Sequence, residues 1–139
     1  MTIRRLGPGD ESVVERLATK GPPARVHELL ADPKTVFVVA LDADEPIGFV
    51  FGYELIRRHG DPSALFVYEI EVAEEWRRRG VGTALMRELE RIAGERGIRT
   101  GWVLTNASNE EAMAFYRSLG GERTNDDDVM WDFDYSEAG

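Results

Sequence analysis

The stretch EEWRRRGVGTAL, residues 74–85, decides how this chain is read. Three arginines, Arg77 to Arg79, run into Gly80 and Gly82, and helix-forming residues follow at once. Upstream, LFVYEIEV (65–72) is β-branched and aromatic, which predicts a strand. Downstream, Val81, Ala84, Leu85, Leu89, Ile92 and Ala93 recur near the 3.6-residue period, which predicts a helix over 81–95, with Gly97 as its stop. A helix start exposes unpaired N–H groups and a partial positive charge. Glycines let that backbone approach a ligand closely, and arginine adds a fixed charge on a forked donor. Strand, glycine turn and helix start therefore describe a phosphate or pyrophosphate cradle. Taken alone, the stretch also fits a solvated arginine-rich loop closing into a helix.

Working outward, TIRRL (2–6) reads as a first strand. DESVVERLAT (10–19) reads as a helix capped by Asp10, with Val13, Val14, Leu17 and Ala18 on its apolar stripe and Gly21-Pro22-Pro23 as its stop. A second helix over about 24–31 carries Val26, Leu29 and Leu30. TVFVVAL (35–41) reads as a buried strand, DADEP (42–46) as a turn and IGFVFGYEL (47–55) as its antiparallel return. TGWVLT (100–105) reads as a strand, NEEAMAFYRSLGG (109–121) as a helix ended by its glycines, and VMWDFDY (129–135) as a last alternating strand. The expected class is α/β of the α+β type. The sheet is mixed but mostly antiparallel, with helices packed on it. With no repeat, linker or low-complexity block, residues 1–139 are expected to form one domain.

The chain has no cysteine and only His27 and His59, so neither thiolate nor histidine metal chemistry is expected. No signal peptide and no apolar run near ~18 residues is read, so no membrane partner is expected and the default location is the cytoplasm. The formal net charge of −9 disfavours nucleic acid, whose phosphates need a positive surface. It favours cationic partners by long-range attraction, or simply keeps the chain soluble.

Two familiar phosphate loops fail on spacing. A Walker loop needs Gly-Lys-Ser/Thr, and Gly82 is followed by Thr83-Ala84. A Rossmann fingerprint needs a third glycine where Leu85 stands. What remains is Arg/Gln-x-x-Gly-x-Gly, here Arg77-Arg78-Arg79-Gly80-Val81-Gly82. This resembles the acetyl-CoA signature of the GNAT superfamily of N-acetyltransferases. Downstream, NEEAMAFYRSLG resembles a second family segment, carried by Asn109, Ala112, Phe115, Tyr116 and Gly120. Within the superfamily, the hairpin, the Tyr68-Glu69 pair and the VMWDFD end resemble the small aminoglycoside 3-N-acetyltransferases. Gly121 and the NASNEE turn (106–111) depart from that pattern.

The resemblance implies the GNAT fold, helices on both faces of the sheet, and acetyl-CoA as co-substrate without a metal. Backbone N–H groups around Arg77, Arg79, Gly80, Val81, Gly82 and Thr83 would hold the CoA pyrophosphate. The strand backbone near Ile70 and Val72 would pair with the pantetheine arm like an added strand. Tyr116 would protonate the departing sulfur, although its spacing alone also fits a core aromatic. Asn109 would cap its helix and touch the pantetheine arm.

The amine must lose a proton, and Glu69 and Glu71 share one side of their strand because side chains alternate. Glu69 ranks first as the acceptor and Glu71 second. An ordinary glutamate titrates near ~4.3, so a water relay or a raised pKa would be needed. With Glu54, Asp132 and Asp134 these glutamates are expected to form a multi-carboxylate trough for a cationic small molecule, best matched by the 3-amino group of an aminoglycoside. The acidic end also offers Asp126 to Asp128 and Glu137, of which Asp126 to Asp128 read as a solvated face. Two other readings remain: the same transfer to a protein N-terminus, lysine or polyamine, and an acyl-CoA-binding module without catalysis. Members of the family often form homodimers, so the resemblance also allows one.

Overall fold

The computed structural model describes residues 1–17 and 24–136. Ala18, the Gly21-Pro22-Pro23 stop and Glu137 lie outside the described residues. The chain divides into two compact units, residues 1–104 and 105–139.

The first unit runs β1 (Thr2–Leu6), α1 (Glu11–Arg16), α2 (Val26–Ala31), β2 (Thr35–Asp42), β3 (Glu45–Ile56), β4 (Ser63–Val72), a 3-10 turn (Glu74–Trp76), α3 (Val81–Glu95) and β5 (Gly101–Val103). The sheet order is β1-β2-β3-β4-β5. The first three pairings are antiparallel and the last is parallel. Ala43 and Asp44 both take positive φ between β2 and β3, the geometry a two-residue hairpin demands.

The alternation of side chains divides the core in two. On one face Val36, Val38, Ala40, Val50, Leu65 and Val67 meet Val81, Leu85, Leu89 and Ile92 of α3. On the other, Phe37, Val39, Phe49 and Phe51 meet Val13 of α1 and Leu30 of α2. Helices thus cover both faces, as expected. Leu85 is fully buried, and burying each α3 anchor contributes roughly 2 kcal/mol. That packing fixes where the N-terminus of α3 points. Its far end closes at Gly97, with φ +74° and the Ile98 N–H bonded to the Ala93 carbonyl.

Three local expectations change. Asp10 precedes α1, but its carboxylate turns back to the Gly7 N–H and Arg4, and so does not cap the helix. The strand read over 100–105 is three residues long, because its pairing ends at Val67 with Val103. The strand read over 129–135 does not form. Asparagine and aspartate side chains there bind nearby backbone: Asn125 accepts from the N–H groups of Asp127 and Asp128, and Asp134 from Ser136. Such local bonds compete with a sheet ladder, and three adjacent aspartates repel one another.

The second unit contains α4 (Glu110–Ser118). Asn109 caps it, its side-chain oxygen accepting from the Ala112 N–H at 3.0 Å. Gly120 ends it at φ +90°, and the Gly121 N–H reaches the Tyr116 carbonyl. Among the described residues, no helix is long and apolar enough to cross a membrane.

Candidate functional site

Past Val72 the backbone leaves the sheet, the Ala73 N–H still donating to the Ile47 carbonyl at 2.8 Å. The 3-10 turn follows, then Arg78 at φ +60° and Gly80 at φ +84°. The left-handed Gly80 swings the chain into α3. A Cβ there would meet nothing within 4 Å, so the position needs glycine for its backbone angle and leaves open space above it. The Ala84 N–H is the first to bond back into the helix, to the Gly80 carbonyl. The N–H groups of Val81, Gly82 and Thr83 precede it and have no intrahelical partner. This donor set, beside open space and a helix start, suits a diphosphate such as that of CoA.

The arginines have distinct tasks. Arg77 donates from Nε to the Val72 carbonyl at 3.1 Å, tying the loop to the end of β4. The Arg79 guanidinium lies 4.1 Å from the centre of the Trp76 ring, a cation–π contact. Both charges are therefore held near the turn. Neither anchor is legible in the sequence, although Trp76 three residues before Arg79 is the signal that would have found the second.

β4 pairs with β3 along its length but with β5 only over Leu65 to Val67. From Tyr68 to Val72, no strand among the described residues pairs with its other edge. Ile70 and Val72 lie on this stretch, whose alternate backbone groups can bond an extended ligand. The open edge runs toward Gly80.

A bulge lies in the same stretch. Phe51 is opposite Glu69 and Gly52 is opposite Val67, so Tyr68 is an extra residue on β4. The bulge reverses which residues face α3. Leu65 and Val67 face it before the bulge, and Ile70 and Val72 after it. Glu69 and Glu71 consequently turn together to the face that carries Phe49, Phe51 and Tyr53. The Tyr53 phenol is pushed up by burial first, then by Tyr68, Glu69 and Asp32 nearby.

The proposed trough divides. Glu54 is opposite Leu65 and sits on the α3 face, away from Glu69 and Glu71. Its carboxylate is nearly buried and bonded to Arg96 at 2.6 and 2.8 Å and to Lys34 at 3.3 Å. These bonds, Arg96 first, hold its pKa below the usual carboxylate range despite burial. Glu54 thus clamps β3 to the end of α3. Asp132 and Asp134 are exposed in the second unit and lie on no strand, so the alternation that made them a pair there is absent. Asp134 is held below its ordinary value by the Ser136 hydrogen bonds.

On α4, Tyr116 is half-buried beside Phe115, ring centres 5.4 Å apart. Burial pushes its phenol up, so the hydroxyl keeps its proton through neutral pH. Asn109 stands at the N-terminus of the same helix.

A strand that runs on past its neighbour's end, a bulge within it and a left-handed glycine at a helix start define a class, and residues 10–120 match the model of the acetyltransferase (GNAT) family. The chain belongs to that family. Among curated relatives it is 39% identical, over 54 residues, to the ribosomal protein bS18-alanine N-acetyltransferase of Escherichia coli, covering 39% of this chain and 36% of that protein. Among solved structures, it resembles an aminoglycoside acetyltransferase from an uncultured soil metagenomic sample with a TM-score of 0.82 at 22% identity, covering 95% and 93% of the two chains. The aminoglycoside N-acetyltransferase AAC(6')-Iy, solved with CoA, gives 0.80 at 20% identity, covering 96% and 93%. At such identities these structures share the fold. The chain spans between 27% and 45% of the length of the curated relatives it matches.

Proposed function

We propose that the protein is an acetyl-CoA-dependent N-acetyltransferase acting on an amine of a cationic small molecule, with the 3-amino group of an aminoglycoside as first choice. One observation carries the reading. The part of β4 beyond its β5 pairing leads to the N-terminus of α3, and it carries Glu69 and Glu71 on the face away from that helix. When bound, acetyl-CoA supplies an acetyl thioester. The N–H groups of Val81, Gly82 and Thr83 would hold the pyrophosphate, the Thr83 hydroxyl would add a donor, and Arg77 and Arg79 would supply counter-charge. The backbone at Ile70 and Val72 would align the pantetheine arm, and the resemblance gives Asn109 a role toward the same arm. Glu69 takes the amine proton directly or through water, with Glu71 as the second candidate. The resemblance gives the Tyr116 hydroxyl, protonated at neutral pH, the role of donor to the departing sulfur, which it would fill when the co-substrate is bound.

The 3-amine follows from the sequence resemblance. The solved relatives include an enzyme whose name specifies the 6' position, so mapping the acetylated product decides the regiochemistry. A second reading, transfer to a protein N-terminal alanine, is favoured by the 39% identity to the bS18-alanine enzyme. The test is release of the CoA thiol from acetyl-CoA across aminoglycosides, spermidine and alanine-started peptides. Faster turnover of a peptide than of any aminoglycoside would replace the first reading by the second. Tight acetyl-CoA binding with no release across the panel would make the protein a binding module.

A further inference from the structure

The bulge that turns Glu69 and Glu71 to one face sets an aromatic side chain beside them. Tyr68 is the extra residue of the bulge, and its ring lies 5.6 Å from Tyr53, 5.4 Å from Phe51 and 5.8 Å from Phe66, centre to centre. Three rings on two strands therefore fix its position, yet Tyr68 remains 56% exposed. Phe66 stacks on Trp102 of β5 at 4.1 Å with the planes 13° apart, and Trp102 is 45% exposed. The face thus presents a wall of rings running from β3 across β4 to β5, with two carboxylates along the same strand.

A core does not need this arrangement. An exposed large aromatic held rigid by others loses packing area it would gain inside, and monomers rarely keep such contiguous apolar patches without a use. The surroundings specify the occupant. Aromatic faces attract cations, ammonium groups above all, and a chain of net charge −9 favours the same charge. Because the ring is already ordered, binding costs little side-chain entropy.

We propose that Tyr68, backed by Tyr53 and the Phe66–Trp102 stack, is a cation-recognising platform that selects the acceptor, receiving its ammonium-bearing face next to the amine that reacts. The platform rests on the acetyltransferase reading for its purpose, and it adds the basis of acceptor choice: rigid molecules with several ammonium groups over neutral or singly charged amines. Its role is specificity, with no proton transfer assigned to the Tyr68 hydroxyl.

The test separates this proposal from the catalytic one. Kanamycin binding is measured by calorimetry on the full chain without acetyl-CoA, with tetramethylammonium as a competitor that has no hydrogen-bond donor. Tyr68→Leu is expected to weaken kanamycin roughly 5- to 30-fold and to abolish competition by tetramethylammonium, while Tyr68→Phe and Tyr68→Trp stay within about threefold of wild type. Melting temperature serves as the check on folding, and because Tyr68 is exposed it should change little. Wild-type kanamycin affinity in Tyr68→Leu overturns the platform, as does an equal loss in Tyr68→Phe, which would assign the effect to the hydroxyl. Failure of the wild-type chain to bind kanamycin also overturns it. Binding that responds to Tyr68 as described, with no CoA release from any amine, supports the platform and refutes the catalytic reading alone.

Discussion

Replacing Gly52 with alanine tests whether the bulge positions the acceptor side of the site. Gly52 lies where β3 meets the extra residue of β4. An added Cβ would stand 2.6 Å from the Phe66 carbonyl oxygen and 3.3 Å from both the Phe66 carbonyl carbon and the Val67 Cα. All three are backbone atoms in a paired strand, so no side chain can rotate away to relieve the overlap. Overpacking of this kind typically costs about 1–3 kcal/mol. Taking about 2 kcal/mol, the melting temperature should fall by roughly 4–10 °C for a chain of this size. Relief requires Phe66 and Val67 to withdraw, which carries Tyr68 and Glu69 with them. A misplacement of about 1 Å near reacting groups can cost on the order of 10²-fold in rate. Gly52→Ala should therefore lower kcat/KM for the acceptor by at least about tenfold, even at temperatures where the variant is fully folded. Calorimetric melting and steady-state CoA release with varied acceptor make the two measurements. Gly94→Ala serves as the control, since a Cβ there meets nothing within 4 Å on an exposed turn of α3. It should stabilise the helix by about 0.5–1 kcal/mol without changing kinetics. Wild-type melting in Gly52→Ala would refute the packing argument, and reduced melting with unchanged acceptor kinetics would refute the link from bulge to site.

Gly80→Ala places a side chain at φ +84° at a strain of roughly 1–2 kcal/mol, so the turn should relax and the acetyl-CoA KM should rise several-fold; Gly80→Asn, which tolerates that angle, should fall between it and wild type in the same assay. Tyr116→Phe keeps the ring packing and removes the hydroxyl, so kcat should fall about 10²-fold with melting unchanged, and a wild-type kcat would remove Tyr116 from proton transfer. Glu54→Gln should destabilise the chain by about 1 kcal/mol at pH 7 through loss of the Arg96 and Lys34 pairs. Because the folded Glu54 pKa is depressed, that stability is present above the unfolded value near ~4.3 and disappears as pH falls through the folded one. The melting difference between Glu54→Gln and wild type should therefore narrow as the medium is made acid, and a gap that stays constant throughout an acid titration would contradict it.

The long elements are legible in the sequence because each has one dominant signal. The apolar stripe of α3 predicts residues 81–95, and those are the residues found. The apolar, β-branched run TVFVVAL, the turn after it and IGFVFGYEL predict the hairpin whose pairing brings Phe37 opposite Phe51. Gly80 likewise marks the turn, since a left-handed angle before a helix leaves glycine in the sequence. VMWDFDY shows where this method fails. It alternates as a strand should, but alternation describes only one face of a strand and provides no partner for its backbone. Asn125 and Asp134 instead satisfy nearby N–H groups through local bonds that spacing does not reveal.

The carboxylates expose a further limit, which concerns the sheet rather than the strand. Within β4, period two correctly places Glu69 and Glu71 on one side. Relating that side to Glu54 on β3 requires the register, and the bulge at Tyr68 shifts the register by one residue. Without the bulge, Glu69 and Glu71 would share the α3 face with Glu54, and the three would form the trough that their charges suggest. With it, Glu54 stays on the α3 face against Arg96, while Glu69 and Glu71 join the aromatic face. A single inserted residue thus decides which acids hold the fold together and which stand beside the open strand edge.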